Sequence, residues 1–424
     1  METLLQCLKE LQVSDYRLVE TICHSKELFF ITKKLDLSRA KQVRKWTVTV
    51  YEDHDLDGKM YRGSATMQFY PTMTKTEMEA GLQQLKEMAR LGRQDPYRLP
   101  SGSTVSQTPP SEVELMPDVL KMMLELPEEN GISINSFEIF SQHYTRRIIN
   151  SRGVDVTFYY TDHEVELVLN ARNDKEEVEI YEDYRFGKPS EVVLSRAMTR
   201  AMRQAADRLQ ARPCTAMPEG TSIVLSGKDV VTLFSFYLNQ LSAARIYQKY
   251  SHQQIGQPIT EQMAVEPWQL EGLKQLENSN QNFAFDDDGR PVKDVLLVKD
   301  GIVEHFFGSH QHLSYLGIQD GTSVYNFKVS GGKLSREELE AMRYLEIVDI
   351  SSFSVDPLTG DFAGEIRLAY YHDGNGQTIA YTGGSFSGNL KQMGHLMRLS
   401  QDLTKYNCAV VPEFVVLPDV NLAV

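Results

Sequence analysis

The chain has 424 residues, of which 41% are hydrophobic and 24% are charged. It is long enough to bury a full core, and at about 150 residues per domain it should hold two or three domains. Asp and Glu outnumber Lys and Arg by 58 to 44, which gives a formal net charge of -14. This charge repels a phosphate backbone and argues against nucleic acid as a direct ligand.

The sequence resembles neither a membrane protein nor a disulfide-rich secreted one. The most apolar runs, residues 230–238 and 409–417, are far shorter than the roughly 20 residues of a spanning helix. The 4 cysteines are scattered and form no Cys-x-x-Cys pair, which is typical of a reducing compartment. The first residues contain an acid and leucines at helical spacing, unlike a cationic leader. We therefore expect a cytoplasmic protein that begins with a helix and has no membrane partner.

The first segment reads as a helix, a meander of strands and a second helix. Runs that alternate β-branched or aromatic residues with polar ones predict antiparallel strands at residues 16–23, 28–32, 43–52 and 59–69. Residues 74–91 repeat apolar side chains every three or four positions, which predicts a helix. These elements form a predicted first domain, residues 1–95. The following stretch is dense in Gly, Pro, Ser and Thr and predicts a linker at residues 96–112.

The second segment, residues 113–212, repeats this order and suggests a duplication. It has a predicted helix at residues 113–126, several strands between residues 137 and 186, and a helix at residues 190–209 with Ser190 as N-cap. The third domain, residues 213–424, mixes short strands with helices predicted at residues 229–246, 336–344 and 390–404. The predicted class is therefore α+β with several domains. Helix-flanked antiparallel sheets should form the N-terminal half, and a mixed sheet with helices should form the C-terminal domain.

An aspartate-rich stretch resembles half of a calcium loop. Asp53, Asp55 and Asp57 precede Gly58 at the spacing of an EF-hand. The twelfth position is Ser64, where a bidentate Glu is needed, and the flanking residues alternate as strands. The stretch therefore predicts a solvated hairpin turn.

Two other motifs also favour structural explanations. Gly383 and Gly388 have the spacing of a phosphate-binding loop, but Asn389 stands where the loop needs a Lys, so a turn from strand to helix is predicted. His163-Glu164 could begin a zinc motif on a helix, but its surroundings alternate with period two. The pair is therefore predicted to lie on a wet sheet face.

The only histidine cluster contains His305, His310 and His312. Imidazoles two residues apart on a strand can hold one metal ion, with Glu304 or Asp300 as further candidates. Aromatic and aliphatic residues are interleaved with the histidines, which favours a polar turn of hydrogen-bonded side chains. A metal or catalytic site here remains the alternative.

Four short motifs follow one another in the third domain, at residues 285–289, 300–303, 355–364 and 387–390. In order and spacing they resemble the TldD/PmbA family, whose members are also described as modulators of DNA gyrase. The resemblance spans nearly the whole chain. Its signature positions, expected to have structural roles, are Asp356, Gly360, Asp361, Gly364, Gly388 and Asn389.

The resemblance also predicts what this chain lacks. TldD-type members resemble zinc metallopeptidases with His-Glu-x-x-x-His on a helix early in the last domain and a Cys nearer the C-terminus as third ligand. The corresponding residues here, 228–241, contain neither His nor Glu, and Cys408 is out of place for the third ligand. The chain therefore resembles the PmbA/TldE branch. No catalytic, cofactor-binding or metal-binding residue is expected in it, and zinc is expected in a TldD-type partner.

The resemblance implies a non-catalytic subunit of a TldD-type zinc metallopeptidase that matures or degrades unfolded peptides. In the family such peptides are thought to lie as an added strand along a sheet edge. The partner would be a TldD-type subunit in a heterodimer, or a second copy in a homodimer. Two alternatives remain open: a stand-alone homodimeric peptide-binding or scaffold protein, and a peptidase whose site lies around His305, His310 and His312.

Overall fold

The structure is a computed structural model that describes residues 1–108, 116–129, 131–218 and 220–423. The end of the predicted linker and the start of the predicted helix at 113–126 lie outside the described residues. Within the described part, the helices are α1 (Glu2–Glu10), α2 (Lys75–Ala89), α3 (Met116–Glu125), α4 (Glu191–Gln210), α5 (Lys228–Gln240), α6 (Ala243–Tyr247), α7 (His310–Tyr315), α8 (Arg336–Glu340) and α9 (Leu390–Met393).

Strands form the larger part of the fold, and together with the helices they confirm the predicted α+β class. In the N-terminal half they are β1 (Asp15–Ile31), β2 (Lys34–Leu56), β3 (Lys59–Phe69), β4 (Ser103–Ser106), β5 (Ile132–Asn150), β6 (Val154–Arg172) and β7 (Glu177–Phe186). In the C-terminal half they are β8 (Arg212–Pro213), β9 (Ser222–Ser226), β10 (Leu270–Leu273), β11 (Val295–Lys299), β12 (Ile302–Val303), β13 (Asn326–Val329), β14 (Tyr344–Val355), β15 (Asp361–His372), β16 (Thr378–Thr382), β17 (Ser385–Asn389), β18 (Arg398–Leu399), β19 (Leu403–Tyr406), β20 (Ala409–Pro412), β21 (Phe414–Leu417) and β22 (Asn421–Ala423).

The two N-terminal meanders join in one seven-stranded sheet. Its order is β3-β2-β1-β5-β6-β4, and β7 also pairs with β6. The first strands of the two meanders, β1 and β5, run antiparallel from the pair Arg17↔Asn150 to the pair Ile31↔Ser136. A helix precedes and follows each meander, which is the arrangement that a duplication would produce. The domain boundaries at residues 95 and 113 stay predictions, since strands from both sides of them share this sheet.

Paired helices cover one face of this sheet. Helices α1 and α2 pack on Leu18 and Val48, whereas α3 and α4 pack on Phe30, Phe137 and Leu167. Leu18 and Phe30 both occupy even positions of β1, so both cores lie on the same face. Helix α4 presents its buried residues at positions three or four apart: Leu194, Met198, Ala201 and Ala205.

Strand β1 is longer than the sequence predicted. The sequence predicts two strands here, at residues 16–23 and 28–32, whereas Ser25 and Glu27 lie within one continuous strand. In the structure, β1 continues through both residues. Glu27 is only 1% exposed. Its carboxylate accepts a hydrogen bond from Ser25 Oγ at 2.6 Å and forms an ion pair with Lys41 Nζ at 2.6 Å. Arg39 also binds this carboxylate. A buried charge with such partners can be kept inside a strand.

The aspartate-rich stretch is a hairpin turn, as predicted. It joins β2 to β3 through Asp57 and Gly58, with φ of 54° and 81°. The Gly58 N–H donates to Asp55 Oδ1 at 3.0 Å. Two consecutive residues with positive φ are typical of the two-residue turns that connect antiparallel strands.

The C-terminal half contains two sheets that include parallel pairs. The nine-stranded sheet has the order β18-β21-β9-β14-β15-β16-β8, with β17 on β15 and β22 on β17, and the six-stranded sheet has the order β12-β11-β10-β13-β20-β19. The parallel pairs β14–β9 and β13–β20 make both sheets mixed, as predicted. Helix α5 packs into the core cluster to which both sheets contribute.

The two halves meet through the first family motif, residues 285–289. Phe285 packs against Val154 and Phe158 on the face of the first sheet opposite its helices. Arg17 in β1 forms an ion pair with Asp288 at 2.6 Å. Gly289, at φ of 78°, lies so close to β6 that a Cβ there would be 2.5 Å from Val154 Cγ1. Residues 285–289 therefore connect the C-terminal half to the seven-stranded sheet.

Three predicted helices of the third domain were too long. The helix at 229–246 is two helices, α5 and α6, and the helix at 336–344 ends at Glu340. The helix at 390–404 is wrong beyond α9, because a 3-10 turn (Gly394–Leu396) follows and then β18 and β19. A Cβ on Gly394 would be 1.9 Å from the Tyr237 hydroxyl, so this residue is packed under α5. In the described residues, no helix has both the length and the apolar character that crossing a bilayer requires.

His163 is buried rather than on a wet face. Only 3% of the residue is exposed, and neither ring nitrogen has a hydrogen-bond partner among the described residues. It continues the buried row of Val165 and Leu167 in β6, while Glu164 lies on the opposite face. Burial, and to a smaller extent the neighbouring His143, lowers the pKa of His163 to about 4.

This pKa predicts an acid-sensitive contribution to stability that His163→Phe removes. Because the unfolded histidine titrates near 6.5, the unfolded state binds more protons between pH 6.5 and pH 4, and the wild-type protein loses up to about 3 kcal/mol over that range. Phenylalanine should fit, because His163 already packs against two rings. Its ring centroid lies 5.5 Å from that of His143 and 5.9 Å from that of Phe186. We expect urea unfolding at pH 7 and pH 5 to show a smaller loss in the variant. An equal loss in both proteins would contradict the assignment.

Candidate functional site

Helix α5 occupies the place where the resemblance expects a zinc-binding helix. It follows β9 and packs most of its surface into the protein. Its buried residues are Val230, Leu233, Phe234, Phe236, Tyr237 and Gln240. Phe234 and Tyr237 meet Trp268 edge to face, with ring centroids 5.3 and 5.2 Å apart. The helix is thus a core element held by aromatic packing.

The residues present do not fit a zinc ion. The hydroxyl groups of Thr232 and Ser235, on the less buried side of α5, donate to Lys228 O and Val231 O at 3.4 and 2.8 Å. Structural and catalytic zinc sites use His, Cys and carboxylate ligands. Burial raises the pKa of Cys408, which favours its thiol over the metal-binding thiolate. In the part of the chain that the structure describes, no three His, Cys, Asp or Glu side chains gather to hold a metal.

The structure does not bring the three clustered histidines together as ligands. His305 Nδ1 lies 2.9 Å from Leu296 O, and His310 Nε2 lies 2.8 Å from Arg98 O. His312, in the first turn of α7, bonds through Nδ1 to Ser309 Oγ at 2.9 Å. These contacts are those of hydrogen-bonded structural histidines.

The signature position Asp356 organises a turn between β14 and β15. Its Oδ1 accepts hydrogen bonds from the N–H groups of Leu358 and Thr359 at 2.8 and 2.7 Å. Gly360, at φ of 79°, closes the turn by donating its N–H to Asp356 O at 2.9 Å. The bonds from Thr359 and Leu358 hold the pKa of Asp356 below its usual value. The aspartate is therefore a turn-forming residue.

Asn389 connects this turn to α9. Its Oδ1 caps the helix by accepting from the N–H groups of Lys391 and Gln392 at 2.9 and 3.1 Å. Its Nδ2 donates to Thr359 O at 3.0 Å and to Asp361 Oδ1 at 2.7 Å. The bond from Asn389 lowers the pKa of Asp361. One side chain thus satisfies groups of three chain segments.

The two remaining signature positions are glycines in the β15–β17 ladder. A Cβ on Gly364 would be 2.5 Å from Ile350 Cγ2, and a Cβ on Gly388 would be 2.5 Å from the Phe362 ring. Both sites therefore exclude larger residues. The structure brings all six signature positions to one corner of the nine-stranded sheet, where β15 pairs with β17 from Asp361↔Asn389 to Glu365↔Ser385.

An open groove of about 920 Å³ lies over this corner. One wall is the end of β14, at Ser354 and Val355, and Met393 and Leu396 contribute apolar surface. Strand β9 pairs with β14 only from Tyr344 to Ile347, and in the described residues no other strand continues along that edge. The groove thus combines apolar surface with the end of an open strand edge, which suits an extended peptide.

A second cavity, of about 380 Å³, lies at the C-terminal end of α5. Phe236, Tyr237 and Gln240 line it together with Gln253 and Lys391. The Gln240 Nε2 donates to Pro357 O at 2.7 Å, so α5 also supports the signature turn. Sequence reasoning identified the turn residues but neither cavity, because α5 and residues 251–261 meet the turn only through the fold.

Comparisons with known proteins agree over most of the chain. Residues 218–423 match the PmbA/TldA metallopeptidase C-terminal domain, and residues 105–212 match the central domain of the same family. An uncharacterized protein of Methanocaldococcus jannaschii is 24% identical over 319 residues, which cover 70% of this chain and 71% of that protein.

Two solved structures share the whole fold. TldE from Thermococcus kodakarensis matches with a TM-score of 0.76 and 15% identity, covering 100% of both chains. A protein described as a candidate modulator of a DNA gyrase, from Thermotoga maritima MSB8, matches with a TM-score of 0.79 and 14% identity, covering 100% of this chain and 99% of that chain. At these identities the likeness concerns the fold alone.

Replacing Asn389 tests whether the signature corner has a structural role. Asn389→Ala removes an N-cap and two further hydrogen bonds, and we expect a loss of about 1–2 kcal/mol in the free energy of unfolding. The pKa of Asp361 should rise in the variant, which NMR titration of the carboxyl carbon measures. Asn389→Ser is the matched control, because its hydroxyl can cap the helix without placing a second carboxylate beside Asp361. An unchanged stability and an unchanged Asp361 pKa in Asn389→Ala would refute this role.

Proposed function

The chain belongs to the PmbA/TldD metallopeptidase family, and we propose that it is the non-catalytic, TldE-like subunit of a zinc metallopeptidase complex that acts on unfolded peptides. A TldD-type subunit would hold the zinc ion and cut the peptide bond. This chain would bind and position the peptide. The likeness to the fold of TldE supports the assignment to this branch.

The packing of α5 is the observation that supports the non-catalytic role most strongly. In the zinc-bearing members, the corresponding helix must point imidazoles and a carboxylate at one ion. Here the helix buries Val230, Phe234 and Tyr237 in the main core. The hydroxyl groups of Thr232 and Ser235, on its less buried side, bond to carbonyl groups of the same helix. Restoring a metal site would require replacing core residues as well as adding ligands.

The groove over the signature corner supports the peptide-binding role. In the described residues the outer edge of β14 has no strand partner beyond Ile347, and its last two residues, Ser354 and Val355, line the groove. An extended peptide could pair with this edge through its own main chain, which allows binding without a fixed side-chain sequence. Unfolded chains expose extended segments along their length, so the groove suits unfolded substrates.

The cysteines support a reducing, cytoplasmic setting for this complex. Cys7, Cys23, Cys214 and Cys408 are all free thiols. Burial raises the pKa of Cys7, Cys214 and Cys408, so these side chains favour the unreactive thiol form. Scattered, protonated thiols fit a protein that has no need for disulfides.

Reconstitution with a purified TldD-type subunit tests the proposed role. With fluorescently labelled, unfolded casein as substrate, we expect no hydrolysis by this chain alone and hydrolysis by the mixture. Replacing the Glu of His-Glu-x-x-x-His in the partner should abolish activity. His310→Ala in this chain should leave the activity of the mixture unchanged. Hydrolysis by this chain alone, lost in His310→Ala, would favour the alternative site instead.

Filling the groove tests the peptide-binding role separately. Ala363 is exposed, lines the groove and pairs with Ser387 in β17. Ala363→Trp should obstruct the groove and slow hydrolysis by the reconstituted complex about tenfold or more, whereas Ala363→Ser should leave it nearly unchanged. Size-exclusion chromatography checks that both variants still assemble. Full activity of an assembled Ala363→Trp complex would rule out this groove.

A further inference from the structure

Strand β2 has a long outer edge that no strand covers in the described residues. Strand β3 pairs with it only from Trp46↔Phe69 to Leu56↔Lys59. The preceding part of β2, residues 34–44, pairs with β1 on one side, and every residue in it is exposed. Long, exposed edges attract additional strands, and proteins usually shorten, bend or cover them.

The main-chain groups on this edge can be assigned from the neighbouring ladder. Arg62 in β3 exchanges hydrogen bonds with Gln94 at 2.9 and 3.3 Å, so its N–H and C=O point away from β2. Arg62 and its partner Asp53 are therefore a non-hydrogen-bonded pair, and the N–H and C=O of Asp53 point away from β3, towards the β1 side. Along a strand, successive residues point these main-chain groups to alternate edges. The β1–β2 register is unbroken from residue 51 to residue 37. The groups of Ser38, Ala40, Gln42 and Arg44 hence face outwards.

The same edge is basic, although the whole chain is acidic. Five cations lie in residues 34–45 with one acid, Asp36: Lys34, Arg39, Lys41, Arg44 and Lys45. Glu20 pairs with Arg44, and Glu27 pairs with Arg39 and Lys41. After these two carboxylates and Asp36 are counted, an excess of two positive charges remains.

Apolar side chains accompany these charges. Ile31, Leu35, Leu37 and Val43 are between 42% and 58% exposed. Leu37, Arg39, Lys41 and Val43 project from one face, because they occupy alternate positions of the strand. This face would suit an added strand that presents both acidic and apolar side chains on the same face.

We propose that the outer edge of β2, residues 34–45, binds an extended acidic segment of a partner protein as an added strand. The outward main-chain groups would supply the hydrogen bonds, and the cations would select the acidic segment. A second copy of this edge is disfavoured, because pairing it with itself would bring like charges together. The inference does not depend on the proposed peptidase role or on zinc.

A proline on the edge provides a direct test. Ala40→Pro removes one outward N–H and obstructs a docking strand, while proline is tolerated where the N–H of an edge strand faces solvent. Ala40→Val is the matched control, because it keeps the N–H and favours a strand. The probe is a fluorescein-labelled peptide of about ten residues that repeats Glu-Glu-Val-Val, so that each face of the extended peptide carries both Glu and Val. Thermal unfolding checks that both variants are folded.

Fluorescence anisotropy on the full chain measures the affinity. We expect the acidic peptide to bind the wild type and Ala40→Val equally within about twofold, and Ala40→Pro at least about tenfold more weakly. Binding should weaken as salt is raised, and a peptide with Lys in place of Glu should not bind.

Several outcomes would overturn the proposal. These are no binding of the acidic peptide, equal binding by Ala40→Pro, or equal binding of the Lys peptide. Tighter binding of single-stranded DNA or of phosphatidylserine vesicles would assign the basic edge to another class of ligand. Sedimentation that shows a wild-type dimer lost in Ala40→Pro would assign it to a second copy.

Discussion

The aromatic packing of α5 is the constraint on which the C-terminal half depends. Tyr237 lies against Trp268, and its hydroxyl covers Gly394, where no side chain would fit. The same hydroxyl donates to Leu390 O at 3.4 Å. One turn further along the helix, Gln240 holds Pro357 of the signature turn. The helix therefore fixes α9, the turn and the groove between them, and it does so with residues that occupy the helix in place of metal ligands.

This packing explains the structural role of the signature residues. Asp356 and Asn389 resemble catalytic groups in a sequence, because both are polar and lie in short glycine-containing motifs. In the structure they accept and donate hydrogen bonds within their own turn and helix cap. The bonds from Thr359 and Leu358 lower the pKa of Asp356, and the bond from Asn389 lowers the pKa of Asp361. Such residues maintain the shape of a groove whose chemistry would come from another subunit.

Sequence patterns predicted the elements whose local signals agree with their environment. The α2 helix, the β2–β3 hairpin and the antiparallel meanders all follow from periodicity and turn residues. Predictions were wrong where tertiary contacts decided the outcome. The apolar spacing after Leu390 is typical of a helix. In the structure the helix ends early, because Gly394 packs beneath Tyr237 and residues 398–399 pair as β18 with β21. His163 was misplaced because its period-two pattern predicts two faces without indicating which one is buried.

The candidate site shows the same division. Its six signature positions could be selected from the sequence, since their motifs are short and local. The groove, the cavity at the C-terminal end of α5 and the open edge of β2 could not be predicted from the sequence. Each depends on where a neighbouring strand ends or on which distant segment packs nearby.

Zinc binding by the isolated chain tests the central claim most directly. Isothermal titration calorimetry of the purified, metal-free protein with zinc at neutral pH should show no stoichiometric, tight site, because the buried face of α5 has no adequate ligands. A site that binds one zinc ion per chain with nanomolar affinity, and that persists when the surface histidines are replaced, would contradict the account.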